Sequence, residues 1–267
     1  MPSPFLFNLP ILGRVLENHA KKTRTMKQKK TVSVSFMMMG ILFCVCLITS
    51  NLLEAKVFRV CGPLTLTGGF LIFPISYILN DCIAEVWGYA KARLVIWVGF
   101  LMNFFVMAMA GIACVLPPLE PNADAAFVSV YSFAPQIVAA SLIAFLVGSF
   151  LNAMVMSRRK VIDRHKGHFN LYFSFRAILS TLVGESADSL VFFPLAFYLL
   201  PLLFSGAPVL SVPVMVKIMA TQVVLKTLYE VLALPITLRI VKRIKAAENT
   251  DVFDDGISYN AFRITDL

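Results

Sequence analysis

Six apolar runs set the limits on what this chain can fold into. They lie near Val34–Leu53, Leu66–Trp87, Val95–Leu116, Ser132–Met154, Ala177–Leu200 and Val212–Ile240. Each reaches the length, about 20 residues, that crosses a hydrocarbon core of roughly 30 Å. Where lipid offers no hydrogen-bond partners, such a run must satisfy its own backbone as a helix. The expected fold class is therefore an all-α membrane protein, a bundle of six transmembrane helices. Over 267 residues, 58% are hydrophobic and 15% charged, with a mean hydropathy of +0.80, which lies outside the range of soluble domains.

The 24 Lys and Arg outnumber the 15 Asp and Glu, but they sit in short clusters between the runs. The excess therefore reports topology, and no nucleic-acid partner is expected. Lys91 and Arg93 follow the second run, and Arg158, Arg159, Lys160, Arg164 and Lys166 follow the fourth. Arg239, Lys242, Arg243 and Lys245 close the sixth. The connection after the third run is acidic and that after the fifth uncharged, while Lys56 and Arg59, near Glu54, dilute the contrast. The positive-inside rule then places both termini in the cytoplasm. Three segments follow: a basic cytoplasmic segment over 1–33, a six-helix membrane domain over 34–245, and a polar cytoplasmic tail over 246–267, read as a soluble extension or a docked strap. In the first segment the apolar residues precede the basic ones, the wrong order for a cleavable signal peptide. Its basic run suits contact with membrane lipid.

No metal or cofactor is expected. Cys44, Cys46, Cys61, Cys82 and Cys114 stand in no zinc-type spacing and are read as small core residues. His165 and His168 have no third ligand nearby.

The runs are interrupted by polar residues in a pattern. Asp81 and Glu85, four apart, share one face of the second helix with Tyr77 a turn earlier. Thr181, Glu185 and Asp188 share a face of the fifth, and Gln222, Lys226 and Glu230 step by four along the sixth. Counting from Lys91, Arg176 and Arg239 at about 1.5 Å per residue puts Asp81, Glu185 and Glu230 roughly 14 Å deep, at one common level. Carboxylates in a bilayer are costly and mark cavities or partners. A polar chamber walled by helices two, five and six is the expectation, with Lys226 pairing with Glu230 along its own helix. Even so, Asp81, Glu85, Glu185, Asp188 and Glu230 exceed Lys217 and Lys226. The excess is met by protonation, by a bound cation, or by a substrate rich in hydrogen-bond donors. Gly68, Gly69 and Pro74 predict an unwound or kinked entry to the second helix, and Asn103 and Asn152 predict interhelical ties.

Three stretches resemble the queuosine precursor transporter family, also called the vitamin uptake transporter family: FPISYILNDCIAEVWGYAKAR (73–93), RAILSTLVGESADSLVFF (176–193) and KTLYEVLALPITLRIVKRIKAAENTDVFD (226–254). The resemblance implies a six-helix bundle similar to the substrate-binding subunits of energy-coupling-factor transporters. It further implies a bacterial inner-membrane importer of a deazapurine for transfer-RNA modification: 7-cyano-7-deazaguanine, its 7-aminomethyl counterpart, or queuine. A carboxylate accepts two parallel N–H donors from a guanine-like edge, a role that suits Asp188 or Glu185. Asp81 and Glu85 would orient the partner helix or bind an aminomethyl group, and Gln222 would meet the ring carbonyl. Tyr77 and Trp87 are candidates to enclose the ring, and Lys226 and Glu230 complete the candidate set.

An importer acting alone is the leading reading. With no Walker sequence, ATP coupling would require energising subunits, so a substrate-capture subunit of a multi-component importer is the alternative, and a homo-oligomer is equally open. An intramembrane enzyme is disfavoured by the absence of HExxH and GxSxG, although Asp81 and Asp188 facing each other would make an aspartyl-type pair.

Overall fold

The computed structural model describes residues 32–263, apart from 54–55, 61–63, 120–124, 126, 129–130, 132–134, 165–166, 206–207 and 209–210. The basic run of the N-terminal segment, His165 and the expected start of the fourth span at Ser132 lie outside the described residues.

The apolar runs become long helices: α1 (Val34–Leu53), α2 (Phe73–Trp87), α3 (Tyr89–Val115), α4 (Pro135–Ile162), α5 (Phe169–Pro194) and α7 (Val212–Glu248), with a short α6 (Leu200–Ser205) before the last. Five stretches, Val34–Leu53, Gly68–Trp87, Tyr89–Val115, Ala139–Ile162 and Phe169–Leu203, are long and apolar enough to cross a membrane by length and composition. The least apolar long helix, α7, has 37 residues and extends about 55 Å.

The burial pattern is that of a bilayer protein. Met38 and Ile41 on α1 and Leu101, Phe104 and Phe105 on α3 are exposed, while Asp81, Glu85, Glu185 and Glu230 are buried. Apolar side chains face outward and the costly charges face one another, as a hydrocarbon surround demands.

Two departures from the sequence-based expectation lie before α2. A small antiparallel hairpin, β1 (Val57–Val60) and β2 (Leu64–Thr67), sets Val57 opposite Thr67 and Val60 opposite Leu64. Leu66, expected to open the second helix, is in this hairpin, because β-branched residues at 57, 60, 65 and 67 favour a pleated strand. After a 3-10 turn at Gly68–Leu71, α2 begins at Phe73 with Pro74 in its first turn. An amide hydrogen is not needed there, so Pro74 starts the helix instead of kinking it. Pro194 behaves differently: it closes α5, and the chain continues as a π-helical turn over Leu195–Leu199.

Close packing of α4 on α5 rests on two glycines. A Cβ on Gly148 would lie 2.9 Å from both the Asp188 Cβ and the Gly184 carbonyl oxygen, and one on Gly184 would lie 2.8 Å from the Asn152 Cβ and 2.9 Å from the Tyr77 ring. The tyrosine is thereby held against the crossing of α4 and α5.

The chain beyond α7 is a docked strap. Val252 N–H donates to the Val86 carbonyl at 3.2 Å. The Asp254 carboxylate accepts from the Tyr89 amide at 2.7 Å and from the Ser157 hydroxyl. Arg93 reaches the carbonyls of Ser258 and Asn260 at 3.1 and 2.8 Å, and Trp97 donates to the Ala261 carbonyl at 2.8 Å. Gly88, between α2 and α3, makes room for this strap: its φ is 83°, and a Cβ there would lie 2.6 Å from an Asp254 carboxylate oxygen.

Candidate functional site

Along α2, the residues Glu85, Asp81, Tyr77 and Phe73 step by four, placing them about 6 Å apart on one face. Glu85 and Asp81 each meet both α5 and α7, Tyr77 packs where α4 crosses α5, and Phe73 meets Lys226 of α7. The result is a ladder of polar contacts running inward from the strap.

The rung nearest the strap is saturated. Glu85 accepts from Arg176 on α5 at 2.9 Å and from Lys245 on α7 at 2.6 Å. Lys245 also pairs with Asp251 of the strap at 2.9 Å. Lys160 on α4 joins the same knot, bonding Asp251 and the Val252 carbonyl, each at 2.5 Å, and the Glu85 carbonyl. Partial burial pushes the Asp251 carboxyl up, but the hydrogen bonds and charges of the two lysines outweigh it and hold the group below its ordinary value of 3.8. Trp87 donates its indole N–H to Glu248 at 3.1 Å. Glu85 and Trp87, both proposed from sequence to meet a substrate, thus have protein partners on α5 and α7 beside the strap.

In the middle rung, Asp81 on α2 meets the side chains of Glu230 on α7 and Asn152 on α4. The Ser180 hydroxyl of α5 lies 3.0 Å from both Asp81 oxygens. Asn152 accepts from Asn80 at 2.7 Å, which gives it the interhelical role expected of it.

The third rung is a charged corner. Lys226 on α7 reaches across to Glu185 on α5 at 2.7 Å, and its ammonium lies 4.0 Å from Asp188. It also sits 4.2 Å from the centre of the Phe73 ring, which packs on Tyr77 at 5.5 Å. The Glu185 Oε1 and the Ser189 hydroxyl are buried with no hydrogen-bond partner among the described residues. Gln222, one turn beyond Lys226 on α7, is half-buried.

The structure therefore brings together Tyr77, Glu185, Asp188 and Lys226 in one rung and Asp81 and Glu230 in the next, and it does not bring Glu85 or Trp87 to either. Glu185 falls a turn away from the common level expected of it because Arg176, from which depth was counted as from an exposed boundary charge, is an interior residue. It is 4% exposed and ion-paired with Glu85. Sequence reasoning missed Arg176, Ser180, Lys245 and Phe73 as members of the ladder. Arg176 and Ser180 were findable, since they precede Gly184 by eight and four on the face that α5 turns to α2. Lys217, counted earlier against the carboxylates, is exposed. Among the described residues no cluster of three or more His, Cys, Asp or Glu is arranged to hold a metal.

Residues 67–240 match the family model described as a putative vitamin uptake transporter. A protein of Bacillus subtilis (strain 168) named a probable queuosine precursor transporter is 26% identical over 152 residues, covering 56% of this chain and 64% of that protein. The chain thus spans just under two thirds of that relative's length. No solved structure matches.

Proposed function

Because the chain belongs to the putative vitamin uptake transporter family, we propose that this multi-pass membrane protein imports a queuosine precursor and holds it at the corner formed by Glu185, Asp188 and Lys226. The cargo class is a 7-deazaguanine: the 7-cyano or 7-aminomethyl base, or queuine. The protein acts as a carrier and not as an enzyme, in a bacterial inner membrane, with both termini and the docked strap on the cytoplasmic side.

One observation carries the reading. Glu185 spends one oxygen on Lys226 and keeps the other buried without a partner. Buried acceptors are otherwise almost always satisfied, so this one calls for a donor from outside the chain. A guanine-like edge presents adjacent N–H donors that a carboxylate accepts side by side. Asp188, at the same corner, is the second acceptor. Tyr77 and Phe73 supply aromatic faces for a flat ring, and Gln222 meets the ring carbonyl. Glu85 and Trp87 support the bundle from the strap without touching cargo.

The test is uptake of labelled candidate bases by cells that lack their own queuosine synthesis, with and without this protein. Asp188→Asn should abolish uptake while membrane insertion stays normal. Unaltered transport in that variant refutes the assignment. Uptake of an unrelated vitamin in place of all three bases would reject the cargo and keep the carrier.

A further inference from the structure

The middle rung is not required by cargo recognition, yet it joins two carboxyl groups inside the bundle. Asp81 and Glu230 meet side chain to side chain, and are 0% and 2% exposed. The groups that bond them from α5 and α4 are neutral. From α5 come the hydroxyls of Ser180 and Thr181, and from α4 the amide of Asn152. The next charge toward Glu230 is Glu185, of the same sign and bonded to Lys226. One turn from Asp81 on its own helix, Glu85 is occupied by Arg176 and Lys245.

Two carboxylates in contact cannot both ionise without a cation between them, and a hydrogen bond joining them needs a hydrogen on one. The rung has a further property. Thr181 Oγ1 and Glu230 Oε2 are sealed from solvent without a well-formed hydrogen bond. They leave a hydroxyl and an acceptor beside the pair through which its hydrogen can be re-partnered. We propose that Asp81 and Glu230 hold one shared, exchangeable proton, and that this rung couples import to a proton gradient. The coupling half of the proposal rests on the importer reading of the adjacent corner.

Lys226 is the link between the two rungs. It lies four residues before Glu230 on one face of α7, and it now bonds Glu185. Lys226 keeps Glu185 ionised, so that the carboxylate offers cargo its unpartnered oxygen. Were the pair to lose its proton, the ammonium would be drawn to Glu230 along its own helix, and Glu185, buried without its cation, would take up a proton and lose the acceptor that cargo needs. A protonated rung therefore keeps Lys226 at the corner and strengthens cargo binding, and by linkage bound cargo strengthens the rung's hold on its proton by the same factor, so that the two cross together. The proton leaves as H⁺, no bond other than its O–H is broken, and no further reactant is needed.

Two measurements test this. The first needs no cargo: infrared spectra of the purified protein in lipid nanodiscs at neutral pH, wild type against D81N/E230Q. The protonated-acid carbonyl band should lose intensity equal to one carboxylic acid per protein in the double variant. An unchanged band overturns the shared proton. Both substitutions copy the shape of a protonated acid, and E230Q alone serves if the double variant does not purify. The second uses proteoliposomes and labelled base, comparing accumulation under an imposed pH gradient with exchange at equal pH. In E230Q the ratio of accumulation to exchange should fall at least tenfold, whereas D188N lowers both together. Equal losses in E230Q, or wild-type accumulation that follows sodium and ignores pH, overturn the coupling. If the wild type carries none of the bases, the cargo assignment falls and the infrared band alone decides the proton site.

Discussion

Gly88→Ala should detach the strap. The backbone at Gly88 has φ 83° and ψ 173°, a region essentially restricted to glycine, where a side chain costs about 1–3 kcal/mol. The added methyl would also lie 2.6 Å from an Asp254 carboxylate oxygen and 3.0 Å from the Val252 side chain. Asp254 must then move off the Tyr89 amide, which it holds at 2.7 Å, and losing a hydrogen bond to a charged group costs about 1.5–3 kcal/mol. Taking about 3 kcal/mol, toward the lower end of the combined cost, the strap should open roughly 150-fold more often, at tenfold per 1.4 kcal/mol. Hydrogen exchange at the Val252 amide, bonded to the Val86 carbonyl, reads this directly. Asp254→Ala should speed the same exchange by about tenfold and, combined with Gly88→Ala, should add less than its own effect, because the clash disappears with the carboxylate. Wild-type exchange in Gly88→Ala, or strict additivity of the pair, would refute the claim that Gly88 is glycine to admit Asp254.

Other outcomes follow from the same contacts. Lys226→Met leaves Glu185 buried without its cation and should destabilise the protein in detergent by about 3–5 kcal/mol, with much of the loss recovered in K226M/E185Q and transport restored in neither, as read by thermal unfolding and uptake. Gly148→Ala should cost about 1–3 kcal/mol through overpacking against Asp188 and Gly184, and Tyr77→Phe, which shortens the ring resting on the glycine, should relieve part of it. Because the Asp251 carboxyl is held below 3.8 in the folded protein, its pairs with Lys160 and Lys245 are fully present above that pH and are lost as pH falls through the lower, folded value. Protease protection of the strap should therefore stay flat from pH 8 to pH 5 and decline only below about 4.

The bundle was legible because lipid forces an apolar run of sufficient length into one kind of structure. The first run and α1 coincide at Val34–Leu53, and the polar stripes did turn inward. Less legible was which stripe residue meets which. Spacing along a helix places Asp81, Glu185 and Glu230 on inner faces, but helix offsets decide that Asp81 meets Glu230 while Lys226 crosses to Glu185. Arg176 shows the sharpest failure. Read alone it is a boundary charge, and only the carboxylate of Glu85, 91 residues away in sequence, makes it a buried one. The hairpin escaped notice because Leu64–Thr67 is as apolar as the helix that follows it. The strap was left open between two readings because its contacts are mostly with backbone carbonyls, which no side-chain pattern announces.

The Glu85 knot also has a consequence in time. Glu85 is separated from Lys245 by 160 residues, and a ribosome adding about 5–20 residues per second needs roughly 8–32 s to cover that distance. Throughout that interval α2 exists without the lysine that completes its carboxylate, and Arg176 arrives only about halfway through it. The second helix is therefore at its most vulnerable while the rest of the chain is still being made, and premature termination between Arg176 and Lys245 strands a half-neutralised acid in a membrane segment. Nascent chains stopped between Arg176 and Lys245 should be cleared by membrane quality control faster than chains stopped just beyond Asp254.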